Sequence, residues 1–221
     1  MNPAAKPDLT REHAAMSSPI AAKSAPSAKP WDAQLAHRLA QTVNTWLTPN
    51  FFTTLRLLTG LGAALALATG DYAGRNFGAL LFVASQFLDH VDGELARISG
   101  KMSRWGHIYD LICDAAVIMF LFVGVGWGLT SGDLGAKALP MGIAAGVSVA
   151  LIFQLRQAIE SRLGKAGTRQ PQFGGFQIED ILYLLPLMTI SSGLEGFLIA
   201  ASIGAPSFAA WVIWEYRRVM H

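Results

Sequence analysis

The chain has 221 residues, of which 52% are apolar and 14% charged, and its formal net charge is +2 at pH 7. Soluble domains carry charges at about a quarter of their positions, so this composition excludes an ordinary soluble domain and favours a membrane protein. No basic cluster with interleaved aromatic residues is present, which argues against a nucleic-acid partner. The single cysteine, Cys113, excludes an intramolecular disulfide framework and is expected to be a packing residue.

The N-terminal region divides into two parts. Residues 1–30 are mainly Ala, Pro, Ser and Lys in irregular order, which predicts a disordered tail. No apolar stretch follows the early charges, so a cleaved signal peptide is not expected. In residues 31–47, apolar side chains recur every three or four positions between Trp31 and Leu47. This spacing predicts an amphipathic helix at the membrane interface with Trp anchors, although a soluble helix packed on the bundle has the same pattern.

Six apolar segments follow and approach the length of about 20 residues that crosses a bilayer. They are residues 51–69, 76–97, 107–129, 138–156, 177–193 and 196–214, of which 177–193 is the shortest. Their many Gly, Ala and Ser residues allow helices to approach closely. The predicted fold class is therefore all-α integral membrane, with six transmembrane helices in a domain of residues 48–217 preceded by the interfacial helix.

The distribution of basic residues predicts the orientation. With the N-terminus inside, fourteen of the 17 Lys and Arg residues fall in the N-terminal tail, the 97–106 and 156–176 connections and the C-terminus. Positive residues concentrate on the cytoplasmic side of membrane proteins. Both termini are therefore expected in the cytoplasm, and so is the polar motif at the ends of the second and third spans.

That motif places four carboxylates inside apolar sequence, where ionised groups are unfavourable unless a cation or a catalytic task accounts for them. Its residues are Asp89, Asp92, Gly93, Ala96, Arg97, Gly106, Asp110 and Asp114. Spacings of three and four put each pair of acids on one helix face, with the small Gly93 and Ala96 beside the first pair. Oxygen-only ligands favour Mg²⁺ or Mn²⁺, and two such ions suit displacement at phosphorus.

The motif resembles the signature of the CDP-alcohol phosphotransferase family, D-x2-D-G-x2-A-R-x8-G-x3-D-x3-D, at every fixed position. An upstream element of that family, P-N-x-x-T-x-x-R, is matched by Pro49, Asn50, Thr53 and Arg56. The resemblance covers residues 31–217 in architecture and residues 49–114 in specific positions.

The resemblance implies that an alcohol hydroxyl attacks the β-phosphorus of a CDP-linked lipid donor, such as CDP-diacylglycerol, and that CMP leaves, as in phospholipid biosynthesis. It implies two Mg²⁺ or Mn²⁺ ions held by Asp89, Asp92, Asp110 and Asp114, with Asp114 also the base. The cytidine diphosphate would contact Asn50, Thr53, Gly93, Arg97 and Ser103, and the backbone exposed at Ala96 would admit the base. The expected location is a bacterial inner membrane, with the active site on the cytoplasmic side. A homodimer is suggested only by the resemblance to this family.

Two other classes compete with this interpretation. An intramembrane Mg²⁺-dependent prenyltransferase would need a second aspartate-rich motif and more spans, and a cation transporter would need its carboxylates near the bilayer midplane. The acceptor alcohol is not specified. Phosphatidylglycerophosphate synthases of the resembled family typically carry a D-P-x-A-D-K pattern, which this sequence lacks around Asp110 to Asp114. The resemblance therefore disfavours glycerol 3-phosphate as the acceptor. Glu94 looks more like the branch of the family that transfers to inositol phosphate.

Several polar residues remain without an assigned role. Arg56 either extends to the headgroups or has a function, and Arg156 either pairs with Glu160 or binds an acidic acceptor. Glu179 and Asp180 either cap a helix or hold the acceptor hydroxyls. The histidines beside the acids, His90 and His107, are expected to be polar residues at headgroup level rather than ligands.

Overall fold

The computed structural model describes residues 38–42, 48–100, 103–163 and 182–220, and all regular structure in these ranges is helical. The helices are α1 (Pro49–Ala68), α2 (Tyr72–Ser99), α3 (Arg104–Gly128), α4 (Ala138–Leu163), α5 (Leu185–Ile190) and α6 (Leu194–Met220). A 3₁₀ turn, Gly135–Lys137, precedes α4. The predicted all-α class is confirmed for this part of the chain.

Local signals define the hairpin that carries the aspartates. The carboxylate of Asp71 accepts a hydrogen bond from the Gly74 amide and caps the start of α2. Gly100 ends α2 with φ of 63°, a left-handed conformation that glycine adopts without strain. The Ser103 hydroxyl then accepts from the Gly106 amide at 2.9 Å and caps α3. Only four residues separate the end of α2 from the start of α3.

The helices pack in a fixed order around an apolar core. Helix α1 contacts both α2 and α3, α3 contacts α4, and α4 contacts α6. Small residues at these contacts allow the close approach expected from the composition. A Cβ atom at Gly60 would lie 2.7 Å from the methyl groups of Val117, so α1 and α3 meet there only because the side chain is missing.

Among the described residues, four segments are long and apolar enough to cross a membrane: α1, α3, Gly135–Leu163 and α6. Helix α2 has 28 residues, but the charged residues from Asp89 onward interrupt its apolar stretch. The fifth predicted span, 177–193, lies partly outside the described residues, and its described part contains the six-residue α5. An integral membrane protein is therefore supported, whereas the arrangement with six spans stays a prediction.

Of the predicted interfacial helix 31–47, the structure describes residues 38–42, which are helical. Ala40 is buried in a cluster with Phe52, Val91 and Leu95, so this part packs against the ends of α1 and α2. The predicted tail of residues 1–30 lies outside the described residues.

Candidate active site

Three of the four motif aspartates meet where α2 and α3 both pack against α1. One carboxylate oxygen each from Asp89, Asp92 and Asp110 lies within 4.8 Å of the other two. Asp92 is buried, and Oδ1 of Asp110 is a buried acceptor without a hydrogen-bond partner. A buried orphan acceptor beside two other carboxylates is the donor set that a hard divalent cation prefers, so the residues present fit a Mg²⁺ or Mn²⁺ ion.

The fourth aspartate, Asp114, is not part of that group of three. Its Oδ1 accepts a hydrogen bond from Nη1 of Arg56, one helix away. The sequence predicted four converging carboxylates as a single set of ligands. The structure groups Asp89, Asp92 and Asp110, while Asp114 lies outside this group and shares the Arg56 guanidinium with Asp89 and Asp110.

Arg56 is the site residue whose position the sequence left undecided. It is 2% exposed, which excludes extension of its side chain to the headgroups. Its Nη1 lies 2.7 Å from Oδ1 of Asp89 and 3.6 Å from Oδ1 of Asp110, in addition to its bond with Asp114. The upstream P-N-x-x-T-x-x-R element was the only sequence signal that pointed to it.

Thr53 orients one of the three grouped carboxylates. Its hydroxyl donates to Oδ2 of Asp92 at 3.0 Å, and it is only 3% exposed. A buried carboxylate needs such donors to compensate for the loss of water. The resemblance implied that Thr53 contacts the nucleotide, whereas the structure gives it a direct bond to an aspartate.

A cavity of about 240 Å³ opens directly beside the carboxylates. Its lining consists of Pro49, Asn50, Thr53, Asp92, Gly93, Ala96, Arg97, Ser103, Gly106, His107 and Asp110. It therefore contains all six residues predicted to contact the cytidine diphosphate, together with two of the grouped aspartates. Their contacts with a nucleotide remain predictions.

The walls of this cavity differ in character. A Cβ added at Gly93 would meet only Arg97, at 3.8 Å, so the hollow expected beside the acids is present. The Arg97 guanidinium is 66% exposed and donates to Oε1 of Glu94 at 3.2 Å. At Gly106, a Cβ would lie 3.1 Å from Oδ1 of Asn50, so the missing side chain lets the start of α3 approach α1.

A model of the CDP-alcohol phosphatidyltransferase family matches residues 46–214. The chain belongs to the CDP-alcohol phosphatidyltransferase family. Two curated relatives match shorter parts of the chain. Cholinephosphotransferase 1 of Danio rerio is 34% identical over 94 residues, which are 39% of this chain and 25% of the relative. A CDP-diacylglycerol–glycerol-3-phosphate 3-phosphatidyltransferase of Cereibacter sphaeroides is 34% identical over 79 residues, 35% of this chain and 36% of the relative. The chain thus spans about a third or less of the length of these relatives.

Solved structures of the phosphatidylinositol phosphate synthase of Mycobacterium tuberculosis share the fold of this family member. The form with CDP-DAG bound superposes with a TM-score of 0.52 at 22% identity and covers 85% of this chain and 92% of its own. The form with manganese and citrate gives a TM-score of 0.54 at 20% identity and covers 81% and 88%. The chain therefore shares the fold of these synthase structures as well as the family model.

A second, larger opening adjoins the cavity beside the carboxylates. It measures about 710 Å³ and is lined by His107, Leu111, Gln154, Gln157, Ala158, Glu160 and Ser161. His107 lines both openings, so the two are neighbours across the first turns of α3. Gln154 donates to the Leu111 carbonyl at 2.8 Å and joins α4 to α3 beneath this opening.

The remaining polar residues have other partners. Arg156 lies 4.0 Å from Oε2 of Glu215 and over the ring of Phe208, so its partners are on α6 and the ion pair with Glu160 is not formed. Nδ1 of His90 lies 3.3 Å from the Tyr183 hydroxyl. Cys113 is a buried free thiol, as expected of a packing residue. Glu179 and Asp180 lie outside the described residues.

Proposed function

We propose that this family member transfers a phosphatidyl group from a CDP-linked lipid donor, such as CDP-diacylglycerol, to the hydroxyl of a small alcohol and releases CMP. One observation carries the proposal: the cavity lined by the upstream and central motifs opens onto Asp92 and Asp110. A nucleotide in this cavity would have its diphosphate next to the grouped carboxylates. The related synthase solved with CDP-DAG bound supports the choice of donor.

The donor would be held by groups of complementary chemistry. Gly93 and Ala96 offer an open backbone surface against which a flat base can lie. Arg97 projects at the rim and can form charge-assisted hydrogen bonds to phosphate oxygens. The first turn of α3, which begins after Ser103, presents amide groups and a positive helix end toward the same space.

Asp89, Asp92 and Asp110 would hold the first of two divalent cations, and Asp114 would contribute to the second. When bound, Mg²⁺ or Mn²⁺ supplies positive charge to the diphosphate and to the departing CMP oxygen. Thr53 keeps Asp92 in position for this task through its 3.0 Å hydrogen bond. The related synthase crystallised with manganese supports the choice of metal.

Asp114 would act as the general base. The oxygen of the acceptor hydroxyl forms a bond to the β-phosphorus, the bond from that phosphorus to the bridging oxygen of CMP breaks, and the hydroxyl proton passes to the Asp114 carboxylate. This carboxylate is bonded to Arg56 in the structure, so it must exchange that partner for the acceptor hydroxyl before it can take the proton.

The acceptor would enter through the second opening, which reaches the donor cavity at His107. Amides, one hydroxyl and the Glu160 carboxylate supply its polar lining, and among the described residues no Lys or Arg contributes to it. Arg156 does not line this opening, so the lining favours a neutral or cationic alcohol over a phosphorylated one.

The architecture around the site completes the proposal. Residues 48–217 would form a domain with six spans, residues 31–47 an interfacial helix and residues 1–30 a disordered tail. The positive-inside distribution supports an orientation in a bacterial inner membrane with both termini and the site facing the cytoplasm. A homodimer is compatible with this layout, and no nucleic-acid partner is expected.

The test is CMP release by the purified full chain in detergent with Mn²⁺, CDP-diacylglycerol and one alcohol at a time. The panel comprises inositol, inositol phosphate, serine, choline and glycerol 3-phosphate. Alcohol-dependent CMP release supports the proposal, and the best substrate identifies the acceptor. Diphosphate release from a prenyl diphosphate would indicate the prenyltransferase instead. Divalent-ion uptake into proteoliposomes without any CMP release would indicate a transporter.

A further inference from the structure

The Arg56 guanidinium lies where a cation of the cluster would be expected. A single nitrogen, Nη1, contacts carboxylate oxygens of Asp89, Asp110 and Asp114. These three oxygens come from two helices, α2 and α3, and Arg56 reaches them from the third, α1. One positively charged atom surrounded by three carboxylate oxygens is the arrangement of a bound ion.

The guanidinium is held mainly by the carboxylates. Within the part of the chain that the structure describes, its Nε is buried and has no hydrogen-bond partner. The Arg56 carbonyl accepts a separate hydrogen bond from Ser85 at 3.0 Å. The charged end and the backbone of Arg56 are therefore positioned by different contacts.

The cluster has two sides. Asp92 and Asp110 line the donor cavity, and Asp92 is bonded to Thr53 rather than to the arginine. Asp114 and Arg56 do not line that cavity and are bonded to each other. A cation that enters from the cavity therefore meets the grouped carboxylates first, whereas Asp114 becomes available only when Arg56 leaves it.

We propose that Arg56 is a tethered counter-cation that occupies the place of the second divalent ion. With Arg56 in position, the cluster takes one ion on Asp89, Asp92 and Asp110, and a second ion binds only by displacing the guanidinium from Asp114. The inference rests on the proposed metal-dependent function and adds regulation to it: the arginine keeps the general base paired until the site is loaded.

The experiment is a Mn²⁺ titration of the purified full chain without nucleotide. Electron paramagnetic resonance measures the concentration of free Mn²⁺ at each step. The wild type should bind one equivalent tightly and a second more weakly. In Arg56→Met the second equivalent should tighten by about tenfold, because the competing charge is gone. Arg56→Lys keeps the charge and should resemble the wild type.

Thermal unfolding provides a second readout. In EDTA, Arg56→Met should melt below the wild type, since the carboxylates repel one another without a counter-cation. Saturating Mn²⁺ should bring the melting temperature of Arg56→Met back to that of the wild type. The double variant Arg56→Met with Asp89→Asn removes one negative charge together with the arginine. In EDTA it should melt at a higher temperature than Arg56→Met alone. This double variant keeps the test usable if the single variant does not fold.

An unchanged Mn²⁺ isotherm in Arg56→Met, or weaker binding of the second equivalent, would overturn the inference. So would a double variant no more stable than the single one. None of these measurements depends on CMP release. If the second Mn²⁺ equivalent binds more tightly in Arg56→Met but no alcohol supports CMP release, the role of Arg56 is supported and the proposed reaction is rejected.

Discussion

Thr53 donates a hydrogen bond to Asp92 between α1 and α2, with Oγ1 and Oδ2 3.0 Å apart and both side chains buried. This bond joins the upstream P-N-x-x-T-x-x-R element to the central aspartate motif. The two sequence elements therefore form one site, in which α1 supplies polar groups that position and neutralise the acids of α2 and α3.

Replacement of Thr53 by Val should weaken the site rather than unfold the protein. The change keeps the shape but leaves a buried carboxylate oxygen without its donor, which destabilises by about 1–3 kcal/mol. Thermal unfolding measures that loss, and a Mn²⁺ titration should show weaker binding because Asp92 is no longer oriented. Thr53→Ser retains the hydroxyl and is the matched control. If Val and Ser behaved alike in both assays, the hydrogen bond would have no role in the site.

Replacement of Asp110 or Asp114 by Asn should leave a folded, inserted protein that has lost turnover. Both changes preserve side-chain size and remove the negative charge that the proposed chemistry needs. CMP release measures the loss, and the elution profile in detergent reports folding. Asp133→Asn alters an exposed loop acid far along the chain from the motif and should keep full activity. Undiminished CMP production by either variant would remove that residue from the mechanism.

A larger side chain at Gly93 should block the donor. The nearest atom to an added Cβ is 3.8 Å away, so Gly93→Val fits the fold and fills the hollow beside the acids. The KM for CDP-diacylglycerol should rise by about tenfold or more, corresponding to at least about 1.4 kcal/mol of lost binding. Gly196→Val places the same side chain on α6 where a Cβ also meets open space, and it should leave the KM unchanged. Equal KM values for both variants would place the nucleotide elsewhere.

The second opening can be tested independently of the first. Ala158→Leu should partly fill it and raise the KM for the acceptor alcohol, while the KM for the donor stays constant. Ala210→Leu makes the same change at an exposed position of α6 and serves as the control. A rise in the donor KM alone would show that this opening does not admit the acceptor.

Removal of the metal should affect both turnover and stability. EDTA should abolish CMP release and lower the melting temperature, because Asp89, Asp92 and Asp110 then lack part of their counter-charge. Addition of Mn²⁺ or Mg²⁺ in excess should restore both. Full activity after exhaustive chelation would contradict a divalent cation at these carboxylates.

The sequence by itself determined which helices carry the motif residues. Apolar stretches of membrane length, the caps at Asp71 and Ser103 and the stop at Gly100 are local features, and each acts over a few residues. The relative positions of Gly93 and Ala96 beside the first acids also follow from helical periodicity alone. Four of the six predicted spans correspond to described segments that are long and apolar enough to cross a membrane.

Only the tertiary structure decided how the polar groups are paired. Arg56 reaches Asp114 across 58 positions, Thr53 reaches Asp92 across 39, and Arg156 turns to Glu215 on α6 rather than to its helical neighbour Glu160. These pairings depend on the rotation and depth of one helix against another. Helical periodicity leaves both undetermined. The grouping of Asp89, Asp92 and Asp110, and the placement of Arg56 among Asp89, Asp110 and Asp114, therefore arise only when the helices pack.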